Sequence, residues 1–403
     1  MLSPGLYVHV PFCVHKCGYC DFNSWAEESR EPQERWLKAL EKQSRFWGER
    51  NRNAETPAFE TVFWGGGTPS LLEPDIIEKA TTILRDNFSI ADGAEWTLEC
   101  NPETLTSARL AHMHSIGVNR ISIGIQSFED VYLDRLERRA RRADNLKVLE
   151  LVASEWKGRW SLDLMFGLPE QSVERWEAEL RQALEFSPAH ISAYQLTLTT
   201  ARSKNWKQPD IDTLLEMFEI TEERLAAKGL AKYEVSNFCR PGEESRHNLK
   251  YWELEPFLGL GPGASGLLAS RQLEGVSKIG RFGAHQKQPD NFDKWENAAG
   301  QGLAEIGTLL TPRSGREHLE EILMMGLRLR KGLDLGRLEG DSGEFNELFK
   351  KEQDSGNIEL YGKIARATRR GEQVLDSVLQ RVFTEIEKIR PQFLDSASFD
   401  PKF

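Results

Sequence analysis

Cys13-Val14-His15-Lys16-Cys17-Gly18-Tyr19-Cys20 sets three thiols at spacings of three and two intervening residues, directly behind the apolar run from Leu6 to Val10. A loop of this length can wrap three thiolates around one face of a [4Fe-4S] cube, and soft thiolates are the ligands that iron-sulfur clusters select. One iron is left without a protein ligand in this segment, so it can bind a small molecule. Two plainer readings compete. A structural zinc site wants four closed ligands, and His15 or the distant Cys100 and Cys239 would have to complete it. A disulfide framework fits poorly with five cysteines in 403 residues, an odd number in a long chain. The spacing predicts Cys13, Cys17 and Cys20 as cluster ligands.

Outward from this loop, short β-rich runs alternate with amphipathic helical stretches, the pattern of parallel strands joined by crossover helices. The strands are Leu6 to Val10, Thr61 to Trp64, Trp96 to Glu99, Arg120 to Ile125, Ser161 to Phe166 and His190 to Leu196. Helical stretches include Pro32 to Trp47, Pro74 to Asp86, Leu105 to Ser115 and Ser172 to Glu185. Six strand-helix units predict an α/β fold, a partial (β/α)6 barrel whose open side can admit a large ligand. A helix over Leu214 to Lys228 follows, then loops between Tyr233 and Gly266, and Arg281 to Gly307 reads as linker. Helical patterns recur at Arg316 to Lys331, Phe345 to Glu352 and Val374 to Ile389, and the tail from Arg390 is expected to fray. The division is residues 1–300 for the barrel with its extension and 301–403 for a small helical, winged-helix-like domain.

A formal charge of −11 argues against a protein that grips nucleic acid electrostatically. No run approaches the ~20 apolar residues of a membrane span, and the N-terminus lacks a signal-peptide pattern. A soluble, cytoplasmic protein is expected, since a reducing compartment also suits thiols kept as ligands.

In a parallel barrel the C-terminal ends of the strands share one rim, so polar residues scattered in sequence converge in space. Gly65-Gly66-Gly67-Thr68-Pro69 follows the second strand, where glycine lets a ligand approach the backbone and Thr-Pro suits a helix start. Glu99 ends the third strand and can accept hydrogen bonds from ribose hydroxyls or an ammonium. Gln126 ends the fourth, Arg138 follows it, and Asp163 intrudes on an apolar fifth strand, where a carboxylate needs a partner or a ligand.

These motifs together resemble the radical SAM superfamily, whose hallmark is a CxxxCxxC loop after the first barrel strand, and the likeness runs from Leu6 through the C-terminal helices. The resemblance implies that S-adenosylmethionine chelates the open iron and that an electron from the cluster cleaves it to an adenosyl radical. Within the coproporphyrinogen oxidase-like branch it implies cofactor contacts at Tyr7, Tyr19, Gly66, Gly67, Thr68, Glu99, Gln126, Arg138 and Asp163. Oxygen-independent coproporphyrinogen III oxidases carry a fourth cysteine where this chain has Phe22, which argues against that oxidative decarboxylation. His247-Asn248-Leu249-Lys250-Tyr251-Trp252 looks like the HNxxYW run of HemW-type heme chaperones, which is associated there with heme binding.

On the residues alone, His247 could ligate heme iron, Tyr251 and Trp252 offer flat surface to a porphyrin, and Arg246 and Lys250 could meet propionates. The plainer reading is that His247 and Asn248 stitch a loop onto the barrel, and Cys239 is first a buried structural cysteine. Ala140 stands where relatives commonly show a histidine, and Leu196 to Thr200 lacks an expected glutamate and glycine, so the substrate side departs from the branch pattern. The implied function is a heme chaperone using a [4Fe-4S] cluster and S-adenosylmethionine, with heme, a heme-acceptor protein such as a respiratory enzyme, and an electron donor as partners. The alternative is the oxidase or another adenosyl-radical enzyme.

Overall fold

Alternate residues of the barrel strands have opposite chemistry, and the fold follows from burying one set and enclosing the other. The computed structural model describes residues 2–198, 206–276, 279–299, 309–338 and 342–389. The strands are β1 (Gly5–Val10), β2 (Phe59–Gly66), β3 (Ile90–Cys100), β4 (Arg120–Gln126), β5 (Arg159–Phe166) and β6 (His190–Gln195), in that spatial order and all parallel. Leu6, Val8, Val62, Trp64, Leu98, Ile121, Ile123, Leu162, Leu164 and Ile191 are fully buried in one core with the crossover helices. The intervening Tyr7, His9, Phe63, Glu99, Arg120, Ser122, Asp163, His190 and Ser192 line a cavity inside the curve of the sheet. A closed barrel of this type fills its interior with branched apolar side chains; this one encloses a lumen lined by polar and aromatic side chains together.

The crossovers are α1 (Arg30–Asn53), α2 (Pro74–Asn87), α3 (Ser107–Ser115), α4 (Asp130–Arg135) with α5 (Arg142–Glu155), and α6 (Val173–Glu185). Each begins where local chemistry favours it. Pro74 sits at the first position of α2, and Thr106 and Ser172 accept from the backbone N–H of Arg109 and Arg175 at the starts of α3 and α6. On α1, Trp36, Leu40 and Trp47 form the buried stripe.

Two stretches differ from the sequence expectation. The region read as loops from Tyr233 to Gly266 contains β7 (Asn237–Cys239), α8 (Arg246–Trp252), β8 (Phe257–Leu260) and β9 (Ser265–Leu268), after α7 (Ile211–Ala226). β8 pairs parallel with β1, so seven parallel strands run in a row. The supposed linker from Arg281 contains β10 (Ala284–Lys287) and α9 (Phe292–Ala298), whose Trp295 is fully buried in the main core. Residues 300–307 of that stretch lie outside the described residues, as does the tail from Arg390. Ala-His-Gln-Lys carries no apolar alternation; it is a strand because β9 and Leu309–Pro312 pair with it on both sides.

A second core gathers Leu319, Ile322 and Leu323 from α10 (Gly315–Gly326), Phe349, Val378 and Val382. It packs on a three-stranded antiparallel sheet of Leu333–Asp334, Ile364–Ala367 and Ile358–Tyr361, so the small unit is helical with a β wing.

The end of the barrel opposite the thiol loop is closed by α8. Buried Glu95 accepts from the backbone N–H of His247 at 3.0 Å and of Arg246 at 3.1 Å, and pairs with Arg159 at 2.6 Å. A carboxylate on the first free amides of a helix is well placed. Glu95→Ala leaves those amides and Arg159 without their partner and should cost about 3 kcal/mol, read as a lowered midpoint in urea denaturation; an unchanged midpoint would show that α8 is held in place otherwise.

Candidate active site

Two adjoining cavities lie inside the barrel curve. The smaller, about 120 Å3, is lined by Cys13, Cys17, Tyr19, Cys20, Gly66, Gly67, Thr68, Glu99, Gln126, Arg138 and Asp163 among others. These are the residues expected at the rim, brought together from six segments of chain. The larger, about 770 Å3, is the lumen, with Tyr7 in its wall, and the two share Lys16, Phe22, Ser24, Gly66, Glu99, Ser122 and Asp163.

The thiols are free, with Cys13 buried and Cys17 and Cys20 partly so. Burial raises the Cys13 and Cys17 thiols above their ordinary range, while Arg138 beside Cys17 pulls the other way. Among the described residues no three His, Cys, Asp or Glu side chains are grouped to hold one metal ion. A cubane asks for something different, one thiolate on each of several irons. Three loop thiols lining one pocket, with no fourth thiol beside them in the loop, are a donor set that fits such a cluster.

Gly66 takes φ of +109°, and a Cβ there would meet the His9 ring at 2.5 Å, so glycine is required by both conformation and packing. Its amide donates to Glu99 Oε2 at 3.1 Å. Burial first, and Asp163 second, push the Glu99 carboxyl up to about 8. Asp163 is raised by burial as well, although Ser122 Oγ donates to both its oxygens at 3.2 Å. Gln126 adopts φ of +68°, unusual for a residue with a side chain. Glu179 of α6 holds the turn after it, accepting from the Ser127 hydroxyl and the Phe128 amide. Arg138 donates to Gly124 O at 2.6 Å and Asn101 Oδ1 at 2.9 Å, with Cys17 Sγ at 3.9 Å.

Sequence reasoning missed Asn101, whose amide also donates to Thr68 Oγ1 at 3.1 Å and so ties the glycine turn to Arg138. It missed His9 too, which hydrogen-bonds the Tyr7 hydroxyl at 3.0 Å and Asn23 O at 2.8 Å. Strand alternation from Tyr7 would have found His9; nothing local marks Asn101.

The HNxxYW run sits at the far end of the lumen, on α8. Tyr251 and Asn248 line the lumen, whereas His247 and Trp252 are not among its lining residues. His247 is fully buried, with Nδ1 bonded to Thr61 Oγ1 at 2.7 Å and Nε2 to the Tyr251 hydroxyl at 2.8 Å. Burial, then Lys250, lowers it to about 3, so it is neutral. Both ring nitrogens are committed, which is the stitching arrangement and leaves no lone pair for an iron in this conformation. Lys250 is spent on Glu255 and Ser3 O, both at 2.8 Å, and Arg246 lies 3.5 Å from Glu60. Cys239 is buried in β7.

The sequence matches the Radical SAM superfamily over residues 7–183 and the HemN C-terminal domain over residues 314–374. Radical S-adenosyl methionine domain-containing protein 1, mitochondrial, of Mus musculus is 34% identical over 404 residues, covering 95% of this chain and 88% of that protein. The heme chaperone HemW of Mycobacterium tuberculosis is 33% identical over 387 residues, covering 93% and 94%. HemW of Escherichia coli is 39% identical over 268 residues, covering 65% and 69%. Among solved structures, the coproporphyrinogen III oxidase HemN of Escherichia coli, a radical SAM enzyme, superposes with a TM-score of 0.76 at 20% identity, covering 95% of this chain and 91% of that one. That last likeness is one of fold.

Two outcomes test this geometry. Cys17→Ala should abolish the visible absorption and iron content of anaerobically reconstituted protein, and a variant that keeps both would remove Cys17 from the ligand set. Glu99 carries its proton in the folded chain up to about 8 but releases it near 4.5 when unfolded. Stability of the cofactor-free protein should therefore fall as pH rises through that window. Glu99→Gln should flatten this part of the profile in thermal melts at stepped pH.

Proposed function

This chain belongs to the radical SAM superfamily, in its HemN-like branch, where it resembles the HemW heme chaperones, and from that premise we propose that it is a heme chaperone, binding heme and passing it to an acceptor protein. The observation that carries the reading is the lumen. It is about 770 Å3 in volume, adjoins the thiol pocket, and has the aromatic residues Tyr7, Phe22, Phe63, Tyr251 and Phe257 among its lining. Flat apolar surfaces around a cavity of this size suit a planar macrocycle.

Cys13, Cys17 and Cys20 would hold a [4Fe-4S] cluster. Tyr7, Tyr19, Gly66, Gly67, Thr68, Glu99, Gln126, Arg138 and Asp163 would surround S-adenosylmethionine. Together these groups supply one-electron chemistry when bound. Around them the chain's own residues set the environment. Glu99, near neutral, can donate as well as accept; Arg138 places a fixed cation beside Cys17; and Gly66 lets His9 pack against the backbone while its amide holds Glu99.

Phe22 supports the chaperone over the oxidase reading. It replaces the fourth thiol of the oxidases, is 61% exposed, and lines both cavities. An exposed ring at the mouth is a natural first contact for heme. Within the HNxxYW run, Tyr251 and Asn248 would face the ligand, and His247 would act by holding the Tyr251 hydroxyl. We place the protein in the cytoplasm, with a heme-dependent enzyme such as a respiratory protein as acceptor and a reductant of the cluster as a further partner. Among the described residues no helix is long and apolar enough to cross a membrane.

Anaerobic titration of hemin into cluster-reconstituted protein, followed at the Soret band, should saturate at one heme per chain. His247→Ala should weaken binding a few-fold and lower the melting temperature without moving the Soret maximum; a displaced maximum would make His247 an iron ligand after all. Absence of saturable binding, with protoporphyrinogen formed from coproporphyrinogen, would return the oxidase.

A further inference from the structure

Four cationic side chains are buried among the described residues, Arg120, Arg138, Lys250 and Arg313. Lys250 pairs with Glu255 and Arg313 with Glu321. Arg138 is taken up by Gly124 O, Asn101 and the Cys17 sulfur. Arg120, only 3% exposed, makes one hydrogen bond, from Nη2 to Ser161 Oγ at 3.1 Å, and no carboxylate lies within 4 Å of it among the described residues. A guanidinium offers five N–H donors in a rigid fork. The Arg120 charge acts on the Asp163 and Glu99 carboxyls farther along the lumen, but only one of its donors has a hydrogen-bond partner, and leaving a buried guanidinium so is costly unless something else meets it. Arg120 lines the lumen, so that something can be a ligand.

The neighbouring residue on the same face is His190, since Ser122, Ser161 and His190 stand in register across β4, β5 and β6. The Tyr233 hydroxyl accepts from the Ser245 amide at 3.4 Å and the Asn248 side chain at 3.5 Å, which leaves its own proton for His190 Nε2 at 2.9 Å. Nε2 is then the acceptor nitrogen, and the remaining proton of the neutral ring sits on Nδ1. That atom is buried and has no partner. His190 is 3% exposed and also lines the lumen. An under-used cation and an unused donor thus lie side by side, with Ser161 and Ser192 between and above them.

We propose that this end of the lumen is a binding seat for a carboxylate of a small-molecule ligand, clasped by the Arg120 fork with His190 as the adjacent donor. A fork of parallel N–H groups matches a carboxylate in two-point contact. Arg120 begins β4 and is not among the residues lining the thiol pocket, although hydrogen bonds through Ser161 and Ser122 chain it to Asp163, which lines both cavities. The seat thus opens on the lumen rather than on the thiol pocket. The carboxylate can belong to a porphyrin propionate or to a free small acid, and the seat does not require that heme be the cargo.

The test uses full-length protein, with propionate, hemin and hemin dimethyl ester as probes. The ester keeps the macrocycle and lacks both charges. If the source is a free acid, propionate should raise the melting temperature of wild type above a matched sodium chloride control, and Arg120→Gln should erase the rise. If the source is a porphyrin, hemin should bind at least about tenfold more tightly than its ester, and Arg120→Gln should close the gap. Should that variant fail to fold, Arg120→Lys, which keeps the charge and loses the fork, should reduce whichever effect the wild type shows. Wild type that responds neither to propionate nor to esterification overturns the seat, as does a response left unchanged by substitution at Arg120.

Discussion

The alternation of side chains along β1 to β6 is the constraint on which the rest depends. Residues such as Val8, Trp64, Leu98, Ile123 and Leu164 face the crossover helices and are fully buried there. Their immediate neighbours, Tyr7, Glu99, Ser122 and Asp163, face the lumen. Stability and ligand chemistry are thereby assigned to alternate positions of the same strands. A slip of one residue would place tryptophan and leucine in the cavity and carboxylates under the helices, so the hydrophobic term that stabilises the sheet also fixes its register.

The parallel half of this arrangement was legible because its strands are rich in β-branched and aromatic residues and its helices carry stripes such as Trp36, Leu40 and Trp47. The rim was legible for different reasons: converging strand ends of a barrel marked Glu99 and Gln126, a lone carboxylate in an apolar strand marked Asp163, and the family resemblance joined the three into one site. The later strands were not. Ala284 to Lys287 and Asn237 to Cys239 have no independent apolar pattern, and they are strands because an edge was available to pair with. In the small unit a winged-helix-like shape was expected, but its strands Ile358–Tyr361 and Ile364–Ala367 were not placed, being short and flanked by strong helices.

The HNxxYW run shows where residue type and residue role separate. Its chemistry, an imidazole beside a phenol, is that of a metal or porphyrin contact. Its surroundings, Thr61 on one nitrogen and Tyr251 on the other, are those of a structural histidine. Sequence could not decide between them, because Thr61 lies far away in the chain and meets His247 only once β2 and α8 are assembled. Arg120 is the converse case. In sequence it is an ordinary arginine at a strand start, and its interest arises only from the partners it lacks.

The α8 helix is bound from two directions. Glu95 and Thr61 hold it to the barrel. Just beyond its end, Glu253 meets Lys331 and Arg337, and Leu254 packs on the second core. The seven-residue helix thus serves at once as a wall of one compartment and as the joint to the next. Strain between the two bodies is therefore felt at the closed end of the lumen, shared between this helix and the ion pairs of Lys232 with Glu372, Arg369 with Glu219 and His285 with Glu321.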